Sequence, residues 1–191
     1  MSIRARLSTR ISLKDVIEIG HWVQEVDDMS RREELYELIH DSCRRIGINA
    51  LWVLTHLDKE KDTDWLATKR RDLIYYIMRE SCIPKARLML NLLLRVPFRK
   101  EEVNSDFIDF CIQRITDNTQ PYAIRASCIK LAYEQMKHYP ELLQELVHTL
   151  DLLSQEKLSP GLHSARRQVI GRILRAKKSR GPKKEILEPL V

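Results

Sequence analysis

A helix-like segment recurs four times in this 191-residue chain at a nearly constant interval. Arg87, Arg125 and Arg166 occupy the same place in three of these segments, 38 and 41 residues apart, and the same step back from Arg87 leads to Asn49. On this alignment four mostly apolar residues also coincide, namely Trp52, Leu90, Cys128 and Val169. Each segment follows a more polar amphipathic stretch across a short connection. This pattern is typical of stacked helical hairpins, in which each unit buries its apolar face against its neighbours.

The composition agrees with an all-helical protein. Only five glycines are present, hydrophobic residues make up 43% and charged residues 31%, and the commonest residue types favour helices. We expect a single domain over residues 1–178 and a flexible C-terminal tail over residues 179–191. No apolar run is long enough to cross a membrane, and the basic N-terminus lacks the apolar stretch of a signal peptide. We therefore expect a cytoplasmic protein.

Local signals predict several helix ends. Gly47 follows a basic stretch and is predicted to end the helix before it as a C-cap. The polar run Asp58–Asp62 is predicted to be a surface loop. Ser159 followed by Pro160 is predicted to begin the last helix, with the serine as N-cap and the proline at the first helical position.

One recurring unit resembles a known family. The segment Asp117-Asn-Thr-Gln-Pro-Tyr-Ala-Ile-Arg125-Ala-Ser-Cys-Ile-Lys-Leu131 is similar to the turn and second helix of a HEAT repeat. There an acidic turn precedes a small or aliphatic residue, an arginine, and then Ala and Leu at helical spacing. The units at Arg87 and Arg166 are similar but lack the acidic turn residue, and the first unit has Asn49 in place of the arginine.

The resemblance covers about residues 30–178 and is to the HEAT and armadillo-like class, without indicating a particular member. It implies an all-α fold, a short right-handed α-solenoid of about four HEAT-like hairpins plus an N-terminal helix. In such a solenoid the second helices of the hairpins line an inner, concave surface.

The sequence contains no common catalytic, cofactor or metal motif. The six histidines form no metal-ligand spacing, and His40 with Cys43 supplies only two ligands. We therefore predict no cofactor and no metal, and an enzyme is less favoured than a binding protein. All four cysteines are predicted to be buried thiols of the core, namely Cys43, Cys82, Cys111 and Cys128.

Positive charge is concentrated near the C-terminus. Residues 157–184 contain ten Lys or Arg and no Asp or Glu, which leaves 23 of the 33 basic residues and all 27 acidic ones elsewhere. The sequence thus assigns the excess of positive charge to this segment alone. Its polar side could be the solvated surface of a terminal repeat or a surface that attracts an anionic partner. The members of this candidate patch are Arg167, Arg172, Arg175, Lys178 and Arg180.

The recurring arginines and the tryptophans have structural interpretations. Three arginines are predicted to be structural rungs that bond turn carboxylates or carbonyls, namely Arg87, Arg125 and Arg166. Trp52 lies among apolar neighbours and is predicted to be in the core. Trp22 and Trp65 lie near predicted helix ends and are candidates for partly exposed stacking platforms.

The leading functional hypothesis is a non-enzymatic binding scaffold that engages a macromolecule through its concave face and basic C-terminal repeat. Stacked hairpins offer an extended surface but no deep convergent pocket. A protein partner is favoured, with nucleic acid as the alternative through the basic C-terminal segment. Membrane association is not expected, and the sequence leaves the oligomeric state open.

Two other hypotheses remain. One is a nucleic-acid-binding protein related to the DNA alkylation-repair glycosylases, which resemble this chain in their HEAT-like architecture and basic concave surface. Such an enzyme needs aromatic residues and a carboxylate at the lesion, and Asp41, Trp52 and Trp65 are of the right types. The other is an accessory chain that acts only inside a larger assembly.

Overall fold

The chain is all-helical in the computed structural model, which describes residues 2–25, 29–153 and 158–179. These residues contain no β-strand, which confirms the predicted fold class. Two short 3-10 helices occur, at Leu38–His40 and Lys100–Glu102. The described α-helices are α1 Ile3–Leu7, α2 Leu13–Gln24, α3 Ser30–Glu37, α4 Arg44–Leu54, α5 Lys59–Thr68, α6 Arg70–Ile77, α7 Ile83–Leu93, α8 Ser105–Thr116, α9 Tyr122–Met136, α10 Pro140–Leu152 and α11 Pro160–Ser179.

The helices pair into four hairpins that stack side by side. In each hairpin we call the earlier helix the first helix and the later one the second helix. The first helices are α3, α8 and α10, and in one hairpin the two consecutive helices α5 and α6. The second helices are α4, α7, α9 and α11. Each second helix packs on the next one, α4 on α7, α7 on α9 and α9 on α11, while α1 and α2 pack against α4 at the N-terminal end. The result is the short α-solenoid that the sequence predicts. The five-residue helix α1 is an addition that the sequence pattern did not indicate.

The second helices α4 and α9 are buried more deeply than the first helices. In α9, ten of the fifteen residues are buried, whereas α8 buries one stripe formed by Phe107, Ile108, Cys111 and Ile115. Helix α9 is covered by α8 and α10 and by the second helices α7 and α11. Only a narrow stripe of it therefore reaches solvent.

The predicted start of the last helix is confirmed. The backbone N–H of Leu162 donates to the Ser159 hydroxyl at 3.3 Å, and Pro160 is the first helical residue. Residues 180–191, which make up nearly all of the predicted C-terminal tail, lie outside the described residues.

Gly47 lies inside α4, so its prediction as a helix C-cap is wrong. A methyl group built on Gly47 would lie 2.8 Å from the backbone oxygen of Ile39, which is too close for a side-chain carbon. The glycine is needed because α4 approaches the preceding turn this closely.

The prediction of a surface loop at Asp58–Asp62 is also wrong. Asp58 is the N-cap of α5, and the rest of the run is helical. Asp62 is fully buried and pairs with Arg32 Nε at 2.6 Å, the two side chains being 0% and 5% exposed. Gln24 Nε2 donates to the other oxygen of the Asp62 carboxylate. The burial of this charge is tolerated because both carboxylate oxygens have donors.

The cysteines divide into two pairs. Cys111 and Cys128 are buried between α8 and α9, as predicted, and burial raises the pKa of the Cys111 thiol, with a further contribution from Cys128. Cys43 is exposed and Cys82 is half-buried, so the prediction of four core thiols is wrong for Cys43. These two residues occupy equivalent places, immediately before the second helices α4 and α7.

Candidate partner interface

The two layers of the solenoid carry opposite charge. The second helices contain twelve Lys or Arg and one acidic residue, Glu134, whereas the first helices contain seven Lys or Arg and twelve Asp or Glu. The second-helix cations are Arg44, Arg45, Lys85, Arg87, Arg125, Lys130, Arg166, Arg167, Arg172, Arg175, Lys177 and Lys178. The excess of positive charge is therefore not confined to the C-terminal segment, as the sequence suggested, but extends along one layer through α4, α7 and α9.

Six of these cations lie on the accessible stripes of their helices. In α4, for example, Arg45, Ile48 and Trp52 follow one another at spacings of three and four residues, and none of them is buried. Because residues at this spacing share one side of a helix, each second helix presents one such stripe, and the stripes of α7, α9 and α11 meet at one depression. We call the four stripes together the second-helix face. Its members are Arg45, Trp52, Arg87, Asn91, Leu94, Lys130, Glu134, Arg167, Gln168, Arg172 and Arg175.

The second-helix face contains an open depression of about 350 Å³ where α7, α9 and α11 meet. Leu94 comes from α7, Lys130 and Glu134 come from α9, and Gln168 and Arg172 come from α11. The lining mixes apolar, amide and charged groups from three successive repeats. Such a surface can contact a macromolecule across repeats, but it encloses no small substrate.

Glu134 fixes part of this face. Its carboxylate accepts hydrogen bonds from Lys137 Nζ at 2.7 Å and from Arg172 Nη1 at 3.0 Å. The guanidinium of Arg172 also lies over the ring of Tyr133, 4.7 Å from its centroid. Arg172 is thus held by α9, and it links the last hairpin to the one before it.

The structure describes part of the C-terminal patch predicted from the sequence. Arg167, Arg172 and Arg175 are exposed on α11 and lie close together around Gly171. The side chain of Lys178 and all of Arg180 lie outside the described residues. The described part of the patch is continuous with the cations of α9.

Three of the four aligned repeat positions bond the end of a preceding helix or the turn after it. Arg125, only 1% exposed, and Arg166 each donate through Nε to a backbone oxygen in the last turn of the first helix in their hairpin. Asn49 donates through Nδ2 to the last residue of α1. The acceptors are the backbone oxygens of Leu7, Ile115 and Leu150, at 2.9, 2.9 and 2.5 Å. Carbonyls at a helix end lack an intrahelical donor, so these side chains supply it.

Arg87 differs from the other repeat positions. It is exposed, and it makes no hydrogen bond or ion pair with any residue in the described part of the chain. It belongs to the second-helix face, as do Arg45 and Lys130, and sequence reasoning overlooked all three as surface candidates. Counting charges separately for the first and second helices of each aligned unit would have found them.

The three residues considered for a lesion-binding site lie apart. Asp41 precedes α4 and accepts a hydrogen bond from Arg4 Nε at 2.7 Å, which lowers the pKa of its carboxyl. Trp65 is buried and donates through Nε1 to Glu33 at 2.7 Å, so it offers no stacking platform. Trp52, which we expected in the core, is half-buried on the second-helix face.

Neither a metal-binding cluster nor a membrane-spanning helix occurs among residues 2–25, 29–153 and 158–179. No group of three His, Cys, Asp or Glu side chains in these ranges could hold a metal ion. Within the same ranges, no helix has the length and apolar character needed to cross a bilayer.

Stacked hairpins with a continuous layer of second helices define the class of α-solenoid repeat proteins. The model of the HEAT repeat domain matches residues 3–173. The chain therefore belongs to the HEAT repeat family, which confirms the resemblance seen in the sequence. Comparisons with curated proteins and with solved structures gave no match.

Proposed function

We propose that this protein is a non-enzymatic scaffold that binds an acidic surface of a partner protein through its second-helix face. The observation that carries the proposal is the separation of charge between the two layers, with one acid among thirteen charged residues in the second helices. HEAT repeats commonly serve protein interaction, and the curvature of a solenoid gives its inner surface an extended contact area.

Solubility alone does not account for this charge pattern. A terminal or outer face needs polar residues, but mixed charges or acids satisfy that need equally well. The exposed charged residues of the first helices are mostly acidic, as Asp106, Asp109, Glu141 and Glu145 illustrate. A layer of one sign creates a potential that steers an oppositely charged partner and excludes others.

The composition of the face favours a protein over nucleic acid. Trp52 and Leu94 supply apolar area between the cations, and aromatic residues together with arginines are enriched in protein interfaces. Glu134 lies in the middle of the face and would repel a phosphate backbone. The candidate residues for glycosylase chemistry do not converge, so we do not extend the proposal to an enzyme.

Charge reversal on each layer tests the proposal. The triple variant Arg45→Glu, Arg87→Glu, Arg167→Glu changes exposed positions of the second-helix face that have no hydrogen-bonding partner among the described residues. The matched variant Lys59→Glu, Lys61→Glu, Arg71→Glu makes the same change in net charge at exposed positions of the first helices. Binding of fluorescent poly-L-glutamate and of a short DNA duplex is then measured by anisotropy at several salt concentrations.

The expected result is binding of the acidic polypeptide that weakens at least about tenfold in the second-helix variant and stays within about twofold in the matched variant. Equal losses in both variants would show that net charge alone governs binding, and the proposal would fail. Tight duplex binding with a steep salt dependence, and weak binding of poly-L-glutamate, would assign the face to nucleic acid instead.

A further inference from the structure

A second surface lies at the edge of the solenoid where first helices turn into second helices. Between the α6–α7 and α8–α9 hairpins, this edge contains a groove of about 320 Å³. Six apolar side chains line it, namely Ile77, Ile83, Ala86, Leu90, Phe110 and Ile124. They come from α6 and α7 and from α8 and α9, so the groove crosses two successive hairpins.

Large apolar groups around this groove remain in solvent. Ile83 is 52% exposed, and Tyr122, which begins α9, is 51% exposed. Tyr75 and Tyr76 extend the same edge on α6 and are also exposed. Tyrosine and isoleucine side chains gain free energy when a partner covers them, and tyrosine is enriched among residues that dominate binding energy.

Two arginines flank the apolar groups. The guanidinium of Arg79 lies 3.8 Å from the ring centroid of Tyr75, and that of Arg114 lies 5.0 Å from the ring centroid of Phe110. Neither arginine forms an ion pair with a carboxylate in the described residues. Stacking on a ring leaves the edge of a guanidinium free to donate hydrogen bonds.

The acids nearest to these arginines are already bonded. Glu80 accepts the backbone N–H of Cys82 at 2.8 Å and pairs with Lys85 Nζ at 3.2 Å. Asp117 accepts hydrogen bonds from Thr119 and Gln120, which together lower the pKa of its carboxyl, with a smaller contribution from Arg114. The groove thus has an apolar floor and one cation in its lining, Arg114, that has no carboxylate partner among the described residues. Arg79 lies outside the lining and donates through Nη1 to the backbone oxygen of Tyr75 at 3.0 Å.

We propose that this groove binds a short peptide segment of a partner protein in which a large apolar side chain is flanked by Asp or Glu. The apolar side chain fills the space above Ala86 and Leu90, and an acidic group of the peptide reaches Arg114 in the lining of the groove. Complementary charge argues for this occupant, because Arg114 has no carboxylate partner among the described residues, whereas Glu80, the carboxylate in the lining, is already paired with Lys85. The site is independent of the second-helix face, which lies on a different side of α7 and α9.

The test is a selection from a phage-displayed library of random dodecapeptides on the full chain, followed by affinity measurements with the selected peptides. Ala86→Phe fills the groove, while Ile83→Ala and Tyr122→Ala remove exposed side chains and leave the buried core unchanged. Leu152→Ala, at an exposed leucine of α10, is the matched control. Circular dichroism checks that each variant is folded.

The expected result is enrichment of peptides with Leu, Phe or Trp within one helical turn of an acidic residue. These peptides should bind Ile83→Ala, Tyr122→Ala and Arg114→Glu at least about tenfold more weakly than the parent, and Leu152→Ala equally well. The triple charge reversal of the second-helix face should also leave them unaffected, which separates this proposal from the previous one.

Three outcomes would overturn the proposal. One is a selection that enriches no acidic-apolar motif. Another is a motif whose binding is insensitive to Ile83, Tyr122 and Arg114. The third is a concentration-dependent dimer, detected by sedimentation, that Ile83→Ala and Tyr122→Ala dissociate, because a second copy of the chain would then occupy the groove.

Discussion

The first and second helices alternate along one chain, yet they use their charged residues in opposite ways. The first-helix layer exposes acids and buries an ion pair, Asp62 with Arg32, beneath its surface. The second-helix layer exposes cations and buries Arg125 against a helix end. Charge inside the molecule therefore serves packing, whereas most charge on the second-helix face lies in solvent. Equivalent substitutions should therefore have very different effects on stability depending on where the charge lies.

The largest effect is expected at the buried ion pair. Asp62→Asn keeps the size of the side chain but removes the buried carboxylate charge that pairs with Arg32 Nε, which should lower the free energy of unfolding by about 3–5 kcal/mol. Asp64→Asn, two residues later in α5 and exposed, should change it by less than about 0.5 kcal/mol. Urea unfolding followed by circular dichroism measures both. Similar losses of unfolding free energy in Asp62→Asn and Asp64→Asn would contradict the distinction between buried and exposed charge.

A smaller effect is expected at the repeat arginines, where two aligned positions differ in burial. Arg125→Met keeps the aliphatic packing but removes the donor to Ile115 O, at a cost of about 1.5–3 kcal/mol. Arg87→Met should alter stability by less than about 0.5 kcal/mol, because Arg87 is exposed. Thermal unfolding of the Arg125→Met and Arg87→Met variants measures both changes in stability. If Arg87→Met proved as costly as Arg125→Met, Arg87 would be a structural rung after all.

The smallest effect is expected at the close approach of α4 to the turn before it. Gly47→Ala places a methyl group 2.8 Å from Ile39 O, and the resulting shift should outweigh the gain in helix propensity by about 1–2 kcal/mol. Gly161→Ala is the control, since nothing lies within 4 Å of its added methyl group, and it should be neutral or slightly stabilising. Chemical denaturation curves compare the two. A stabilised Gly47→Ala variant would mean that α4 can move away from Ile39 at no cost.

The sequence predicted the features that depend on local periodicity. The spacing of Arg87, Arg125 and Arg166 gave the hairpin repeat, and Ser159 gave the start of α11. It failed where a residue depends on a distant partner. Asp62 is buried because Arg32, 30 residues earlier, pairs with it, so its local polarity wrongly predicted a surface loop. Gly47 is required by the nearby backbone oxygen of Ile39, so its local sequence wrongly predicted a helix C-cap.

The two candidate surfaces differ in how far the sequence could have predicted them. Once the repeat alignment assigns Arg45, Arg87 and Lys130 to second helices, a count of charges over those helices predicts a basic layer. The groove at Ala86 could not be found in this way, because it forms where two separate hairpins meet and Phe110 faces Leu90 across that boundary. Which gaps remain between packed helices depends on the sizes of side chains far apart in sequence.

Arg172 is ordered before any partner arrives, because Glu134 and the ring of Tyr133 fix its guanidinium. Immobilising a flexible side chain at an interface costs about 0.5–1.5 kcal/mol of rotamer entropy. Contacts to Arg172 avoid most of that loss, whereas contacts to Arg45 and Arg87 incur it. An incoming carboxylate at Arg172 must, however, share the guanidinium with Glu134. For the proposed partner, the face therefore combines one pre-ordered arginine with exposed arginines that have no hydrogen-bonding partner among the described residues.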